Sequence, residues 1–241
     1  MTPAQAARKP VAKPKGRAEA KAAPGGKARV GVLGSGVVGE TLADGFLKKG
    51  YAVMRGSRDP GRLEEWLRRA GPRASTGTFG ETARFGEVVV FAVKGEAAEE
   101  AVRLAGPEAL AGKTVVDTMN PIAGGPSKDG LLSFFTGPDE SLLERVRRAA
   151  PGAEWVKAFS CVGAAHMVDP DFGGEKPTMF LCGDSPRAKE RVEGILGEFG
   201  WEWEDLGGVA AARAIEPLCI LWCLPGFLRN EWSHAFRLLR K

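Results

Sequence analysis

Apolar residues in this chain come in short unbroken runs, separated by stretches of helical period. Runs at 28–33, 51–55, 87–93 and 113–118 read as strands, and the segments between them as helices. After the first run, Val38, Leu42 and Phe46 recur at four-residue spacing on one helical face. Helix starts are marked by Gly77-Thr78 and by Ser57 to Pro60, where Asp59 is suited to cap a helix beginning at Pro60. Val88–Val93 and Thr114–Val116 are continuous rather than alternating, as in parallel strands buried on both faces. The pattern predicts an α/β fold built on a doubly wound parallel sheet.

Past residue 150 the pattern predicts a small α/β extension ending in helices. Glu154–Phe159, Pro177–Leu181 and Trp201–Glu204 read as strands, with a helix at 185–199 between the last two. An apolar helix is expected over 208–224, broken by Pro225-Gly226, and a last amphipathic piece over 227–240. Trp222, Phe227, Trp232 and Phe236 either pack in the core or give the C-terminus an aromatic surface. The expected division is a disordered basic tail at 1–27, a dinucleotide-binding domain at 28–150 and a substrate or dimerisation region at 151–241.

The first strand leads directly into Gly34-x-Gly36-x-x-Gly39 and the following helix. Gly34 permits the tight turn, Gly36 lets a pyrophosphate approach the backbone, and Gly39 lets helix and strand pack closely. The helix N-terminus then presents free N–H groups to phosphate. Glycine is common here, 33 of 241 residues, so the motif gains weight from its place between strand and helix. About 20 residues beyond the glycines, an NAD site would carry a carboxylate for the ribose 2′-hydroxyl. This chain has Gly56-Ser57-Arg58, with Arg62 one turn further on. A hydroxyl and guanidinium groups suit a 2′-phosphate, so NADP(H) is expected over NAD(H).

The formal net charge of +4 conceals two opposite parts. Residues 1–27 carry seven Lys or Arg and one acid, Glu19, which leaves 27 basic against 29 acidic residues in the body. A slightly acidic body is no nucleic-acid surface. The tail, with four prolines and no aromatic residue, has too little apolar surface to fold. It has no apolar core of a secretory signal, and the chain has no run of 18 apolar residues, so a cytoplasmic protein without membrane contact is expected. Cys219 and Cys223 sit one helical turn apart among apolar residues and read as reduced core thiols. With two histidines and no Cys-x-x-Cys, no metal site is expected.

In such a sheet, ligands meet the carboxyl ends of the strands. Ala92 and Val93 at the end of the third strand with Lys94-Gly95 just after it, and Asn120-Pro121-Ile122 after the fourth, therefore border the expected nicotinamide pocket. The glycine- and proline-rich stretch from Gly124 to Pro138 is either a lid or a plain surface loop. No side chain stands out as a general acid. Lys94 and His166 are the candidates for a catalytic role, against a solvated lysine and a packing histidine.

Several motifs line up in order: GVLGSGVVG (31–39), GSRDP (56–60), LAGKTVVDTMNP (110–121), WVKAF (155–159), LCGD (181–184) and DLGGVAAARAIEPL (205–218). Over roughly 28–224 the chain resembles the NADP-dependent oxidoreductases typified by coenzyme F420:NADP oxidoreductase, and the NADPH-binding domains of six-transmembrane epithelial ferric reductases. The resemblance implies a Rossmann core, NADPH, and a flat deazaflavin or flavin stacked on the nicotinamide. It assigns the 2′-phosphate to Ser57 and Arg58, with Arg62 beside them, and the pyrophosphate turn to Ser35, Val37 and Val38. Related sequences often read Lys-Ala-Phe-Asn where this chain has Lys157-Ala158-Phe159-Ser160.

Direct hydride transfer between stacked rings needs position and electrostatics rather than a protein nucleophile. The expected partner is a small redox molecule, and a homodimer is expected from the aromatic C-terminus. Two alternatives remain open: reduction of a small carbonyl or imine, and a non-catalytic NADPH-sensing module. The first is disfavoured by the absence of lysine over 190–240, because hydroxyacid dehydrogenases of this type draw an acid from that region.

Overall fold

Eight strands make one sheet, and seven of them fall on the strand runs just described. The computed structural model describes residues 27–241; the expectation of a disordered tail falls, except for Lys27, outside the described residues. In chain order the elements are β1 (Arg29–Leu33), α1 (Val37–Lys48), β2 (Ala52–Gly56), α2 (Glu64–Ala70), β3 (Ala74–Gly77), α3 (Phe79–Phe85) and β4 (Val88–Phe91). Then come α4 (Ala98–Ala105), α5 (Pro107–Leu110), β5 (Thr114–Asp117), the short strands β6 (Ile122–Ala123) and β7 (Ser133–Phe134), α6 (Leu142–Ala149) and β8 (Glu154–Lys157). The chain continues with β9 (Thr178–Gly183), α7 (Pro186–Glu198), β10 (Glu202–Asp205), α8 (Ala212–Ile215) and α9 (Leu218–Arg229).

The sheet order is β10-β9-β8-β5-β4-β1-β2-β3, while β6 and β7 pair separately as a short antiparallel ribbon. All neighbours in the large sheet run parallel except β8 and β9. The chain leaves β1 toward β2 and β3 on one side and returns to β4 and β5 on the other. The switch point therefore lies between β1 and β4, and the crevice at their carboxyl ends is where such sheets bind ligands.

Both faces of the sheet are covered. Val30, Val32, Leu42, Phe46, Val90 and Phe199 pack one side of the core, and Leu33, Val89, Phe91, Val102, Leu143 and Trp155 the other. Burying each such side chain stabilises the fold by roughly 1.5–3 kcal/mol. This two-sided burial explains the continuous apolar runs. Helix starts follow the expected chemistry: Thr78 and Glu81 form a capping box at α3, and Asp59 accepts a hydrogen bond from the Gly61 amide in the 3-10 turn before α2.

Five features differ from the sequence pattern. β3 is an unexpected strand; it lies at the sheet edge with most of its residues half-buried, so Ala-Ser-Thr-Gly carries no apolar signature. β9 and β10 run against the rest of the sheet, which periodicity does not encode. The expected 208–224 helix is interrupted: a 3-10 turn at Val209–Ala211 and α8 lead through Glu216 and Pro217 into α9. Pro225-Gly226 does not break α9, which continues to Arg229 and ends where Asn230 turns left-handed at φ 58°. Gly226 instead admits the Trp232 ring, since a Cβ there would lie 2.4 Å from ring atoms.

The last amphipathic piece expected at 227–240 is helical only to Arg229, where α9 ends, and beyond it is a strap without helix or strand. The Thr178 amide donates to the Phe236 carbonyl, and the Leu238 amide donates to the Thr178 hydroxyl. Trp222 donates its indole N–H to the His234 carbonyl. These bonds draw the segment across the start of β9. Trp222 is buried, while Phe227 and Trp232 remain part-exposed and pack edge to face. The helical run Val209–Arg229 is long and apolar enough to cross a membrane by length and composition alone. Here its Ala212, Ile215, Glu216, Cys219, Trp222 and Gly226 are buried against the body.

Candidate functional site

The glycine loop sits at the switch point, and its three glycines meet three different environments. Gly34 has φ 148°, and a Cβ there would lie 2.2 Å from the Ala92 carbonyl oxygen. A Cβ on Gly39 would lie 2.7 Å from the Gly34 carbonyl oxygen. Gly34 and Gly39 are thus required by packing of the loop on β4 and of α1 on β1. Gly36 has nothing within 4 Å of an added Cβ. It is exposed, like Val37 beside it, and opens α1 as its N-cap without any side-chain cap. The amides of the first turn are therefore available to an anion. Ser35 and Val38, the other expected pyrophosphate residues, are half-buried in the same turn.

Arg55 underlies this loop, and sequence reasoning missed it. Its side chain is fully buried and donates to the carbonyl oxygens of Gly34 (3.3 Å) and Gly36 (3.0 Å) and to the Glu40 carboxylate (3.1 Å). Trp66 stacks on the guanidinium at 5.2 Å and donates its indole N–H to Asp44 on α1. Burial pushes the Arg55 guanidinium below its ordinary value against the opposing pull of Glu40. The arginine nearest the end of β2 therefore braces the loop instead of facing solvent. Its only sequence signal is a charge inside an otherwise apolar run.

The other basic residues face outward. Ser57 is buried, and its hydroxyl accepts from the Asp59 amide. Arg58 and Arg62 are exposed. Asp59 turns its carboxylate onto the Gly61 amide as a cap. On α4, the Glu100 carboxyl is held low first by its hydrogen bond from Arg103 and also by the charge of Arg58. The structure thus sets Ser57, Arg58 and Arg62 at the end of β2 with Asp59 engaged locally. This arrangement fits a 2′-phosphate, and the open backbone at Gly36 fits a pyrophosphate.

The two expected nicotinamide borders lie against each other. A Cβ on Gly95 would be 2.0 Å from the Asn120 carbonyl oxygen, so the loops after β4 and β5 are in contact. Ala92 is buried, Val93 half-buried and Lys94 exposed. The Asn120 amide N–H donates to the Ser160 carbonyl, 2.7 Å away, which ties the β5 and β8 loops together. His166 lies in a 3-10 turn, with Nε2 3.1 Å from the Ser233 hydroxyl and its ring packed against Phe172. Among these contacts, none joins His166 to the glycine loop or to Asn120.

Behind the loop after β5 lies a buried charge cluster that sequence reasoning also missed. The Lys157 ammonium is 2.8 Å from both Asp117 and Glu216 and donates to the Met119 carbonyl at 2.8 Å. Burial opposes the charge on Lys157, yet Asp117 and Glu216 outweigh it and hold the ammonium above its ordinary value. Burial also pushes Asp117 up, more than Lys157 pulls it down. Glu216 further accepts from the Leu142 and Leu143 amides, joining α6 to the α8–α9 junction. The four cysteines are free thiols, and burial pushes Cys161 up to about 12, as inert core residues behave.

The family described as NADP oxidoreductase, coenzyme F420-dependent, matches residues 29–121. A solved structure described as an F420-dependent NADP-reductase from Arthrobacter sp. FB24 superposes with a TM-score of 0.82 and 30% identity, covering 89% of this chain and all of that one. This chain belongs to the coenzyme F420-dependent NADP oxidoreductase family. Metalloreductase STEAP3 of Rattus norvegicus is 32% identical over 206 residues, which are 83% of this chain and 39% of the relative. The chain thus spans about two fifths of that curated relative. Protein SMa0349 of Sinorhizobium meliloti gives a TM-score of 0.67 at 26% identity, covering 79% of this chain and 90% of that one. An imine reductase from Pseudomonas sp. shares the fold, with a TM-score of 0.60 at 20% identity. As an NADP-dependent oxidoreductase of this family, the chain carries its match across β1 to Pro121, the stretch holding the glycine loop, the Ser57–Arg58 end of β2 and Asn120.

Proposed function

We propose that this protein transfers a hydride between NADP(H) and a flat redox partner, a deazaflavin of the F420 type or a flavin. The observation that carries the NADP(H) half of this reading is the pairing of open backbone at Gly36 with the outward Arg58 and Arg62 at the end of β2; the flat partner is supported by the family match. When bound, NADPH supplies the hydride at its nicotinamide C4, and the accepting ring equilibrates its proton with solvent. The chain's part is then to bind and orient.

Arg58 and Arg62 take the 2′-phosphate, with two donors available from each guanidinium. The amides after Gly36 take the pyrophosphate, while Arg55 keeps their loop in one geometry. The shelf formed by Gly95 and Asn120 gives the reacting rings a rigid floor. His166 is held by Ser233 and Phe172, so no proton transfer is assigned to it.

The test is NADPH oxidation by purified protein against F420, FMN, FAD, a ferric chelate and simple carbonyls, with NADH as control. Turnover with F420 or a flavin, faster for NADPH, is expected. Turnover confined to carbonyls, or tight NADPH binding with no turnover on any of these, would overturn the proposal.

A further inference from the structure

Among the buried polar atoms without a hydrogen-bond partner, three lie at the carboxyl edge of the sheet: Oδ2 of Asp117, which is ion-paired with Lys157, and Oδ1 of Asn120 and Oγ of Ser160, which have no ion pair either. The last two belong to residues already joined by the bond from Asn120 Nδ2 to the Ser160 carbonyl. A buried polar group left unpaired costs about 1–3 kcal/mol, so such atoms are few in native folds and call for a physical account.

The local backbone carries a second cost. Phe159, directly before Ser160, has φ 60°, in the left-handed region that a bulky aromatic residue rarely adopts. Its buried ring lies against Phe199, and its amide faces the Met179 sulfur at 3.1 Å. Strain of this kind persists where surrounding packing enforces it, and it clusters at ligand sites. Here it sets Ser160 beside Asn120.

The orientation of Asn120 is decided by its partner. A carbonyl oxygen accepts only, so the group facing Ser160 must be the amide NH2, and Oδ1 remains as a pure acceptor. The backbone before it is anchored by the bond from Lys157 to the Met119 carbonyl. The pair therefore offers one acceptor beside one hydroxyl able to donate or accept. Its complement is a planar amide edge, an N–H next to a C=O.

We infer that Asn120 and Ser160 form a seat for an amide edge of one of the two reacting rings. The inference rests on the proposed function for its location, because the seat lies on the shelf assigned to those rings. Two sources share this chemistry: the carboxamide of the nicotinamide, and the imide edge of a flavin or deazaflavin. Both oxygens are buried in the ligand-free protein, so they meet the ligand when the Ser160 hydroxyl rotates about its side-chain bond and the Asn120 amide pivots while keeping its bond to the Ser160 carbonyl.

The test compares wild type with Ser160→Ala and Asn120→Leu in the full chain. Ser160→Ala removes an unpaired group, so the ligand-free melting temperature is expected to hold or rise. Binding is read by titration with NADPH and with 2′-phospho-ADP-ribose, which lacks the nicotinamide. If the seat holds the carboxamide, the NADPH Kd rises about tenfold while the 2′-phospho-ADP-ribose Kd is unchanged. If it holds the imide, both Kd values stay fixed and KM for F420 or FMN rises about tenfold. Unchanged Kd and KM in both variants would overturn the seat, as would equal weakening of NADPH and 2′-phospho-ADP-ribose. A wild type that binds NADPH but reduces no ring, with Kd values unaltered in both variants, would overturn both proposals. If wild type reduces a ring partner and only the variants are inert to the test, the proposed function stands and the seat falls.

Discussion

Arg55 donates from its buried guanidinium to the carbonyl oxygen of Gly36, 3.0 Å away. The bond holds the one glycine of the loop that faces open space, and a second bond to Gly34 fixes the other end of the turn. Arg55→Met would leave both carbonyls and Glu40 without this donor. A stability loss of about 1–3 kcal/mol is expected, together with a roughly tenfold rise in the NADPH Kd. Urea unfolding and fluorescence titration read the two effects. An NADPH affinity that stays at the wild-type value while stability falls would reduce Arg55 to a fold residue.

Arg58 tests cofactor choice. It is exposed at the end of β2, and Asp59 beside it is engaged with the Gly61 amide. Arg58→Asp should weaken NADPH by on the order of 2–3 kcal/mol and leave NADH little changed. Equal losses for both dinucleotides would remove the 2′-phosphate from this position.

Gly34 and Gly36 should respond in opposite ways to alanine. At Gly34 a Cβ meets the Ala92 carbonyl at 2.2 Å with φ at 148°, so Gly34→Ala should lower the melting temperature before any ligand is added. At Gly36 a Cβ meets nothing, so Gly36→Ala should melt like wild type and bind NADPH at least tenfold more weakly. A Gly36→Ala protein with full affinity would show that no phosphate approaches that backbone.

Lys157 supplies a pH test. Lys157→Met leaves Asp117 and Glu216 buried without their cation, which should cost about 3–5 kcal/mol. Burial already holds the Asp117 carboxyl above its ordinary value, and loss of the lysine raises it further. A carboxyl raised in the folded state favours folding below its unfolded value and loses that advantage as the pH climbs through the folded one. The deficit of the variant should therefore shrink as the pH is lowered from 8 toward 5. A deficit that is flat or grows on acidification would mean that the carboxylates do not carry it.

Local order was legible in the chain because each element carries its own signal. The sheet strands near the switch point announce themselves as unbroken apolar runs, since burial on both faces leaves no polar alternation. Glycine spacing marks the loop, because only residues without a Cβ fit at Gly34 and Gly39. The caps at Asp59 and Thr78 are likewise local hydrogen bonds within three residues. Tertiary structure decided what depends on distant partners. It turned Arg55 inward and Arg58 outward, a choice made by carbonyls about 20 residues away. It gathered Asp117, Lys157 and Glu216, whose charges make sense only together. It carried α9 through Pro225 and folded Trp232 back onto Gly226, contacts between residues that no local pattern pairs. It also left Asn120 and Ser160 side by side with one unpaired oxygen each, since hydrogen-bond satisfaction is a property of the assembled fold and of no single segment.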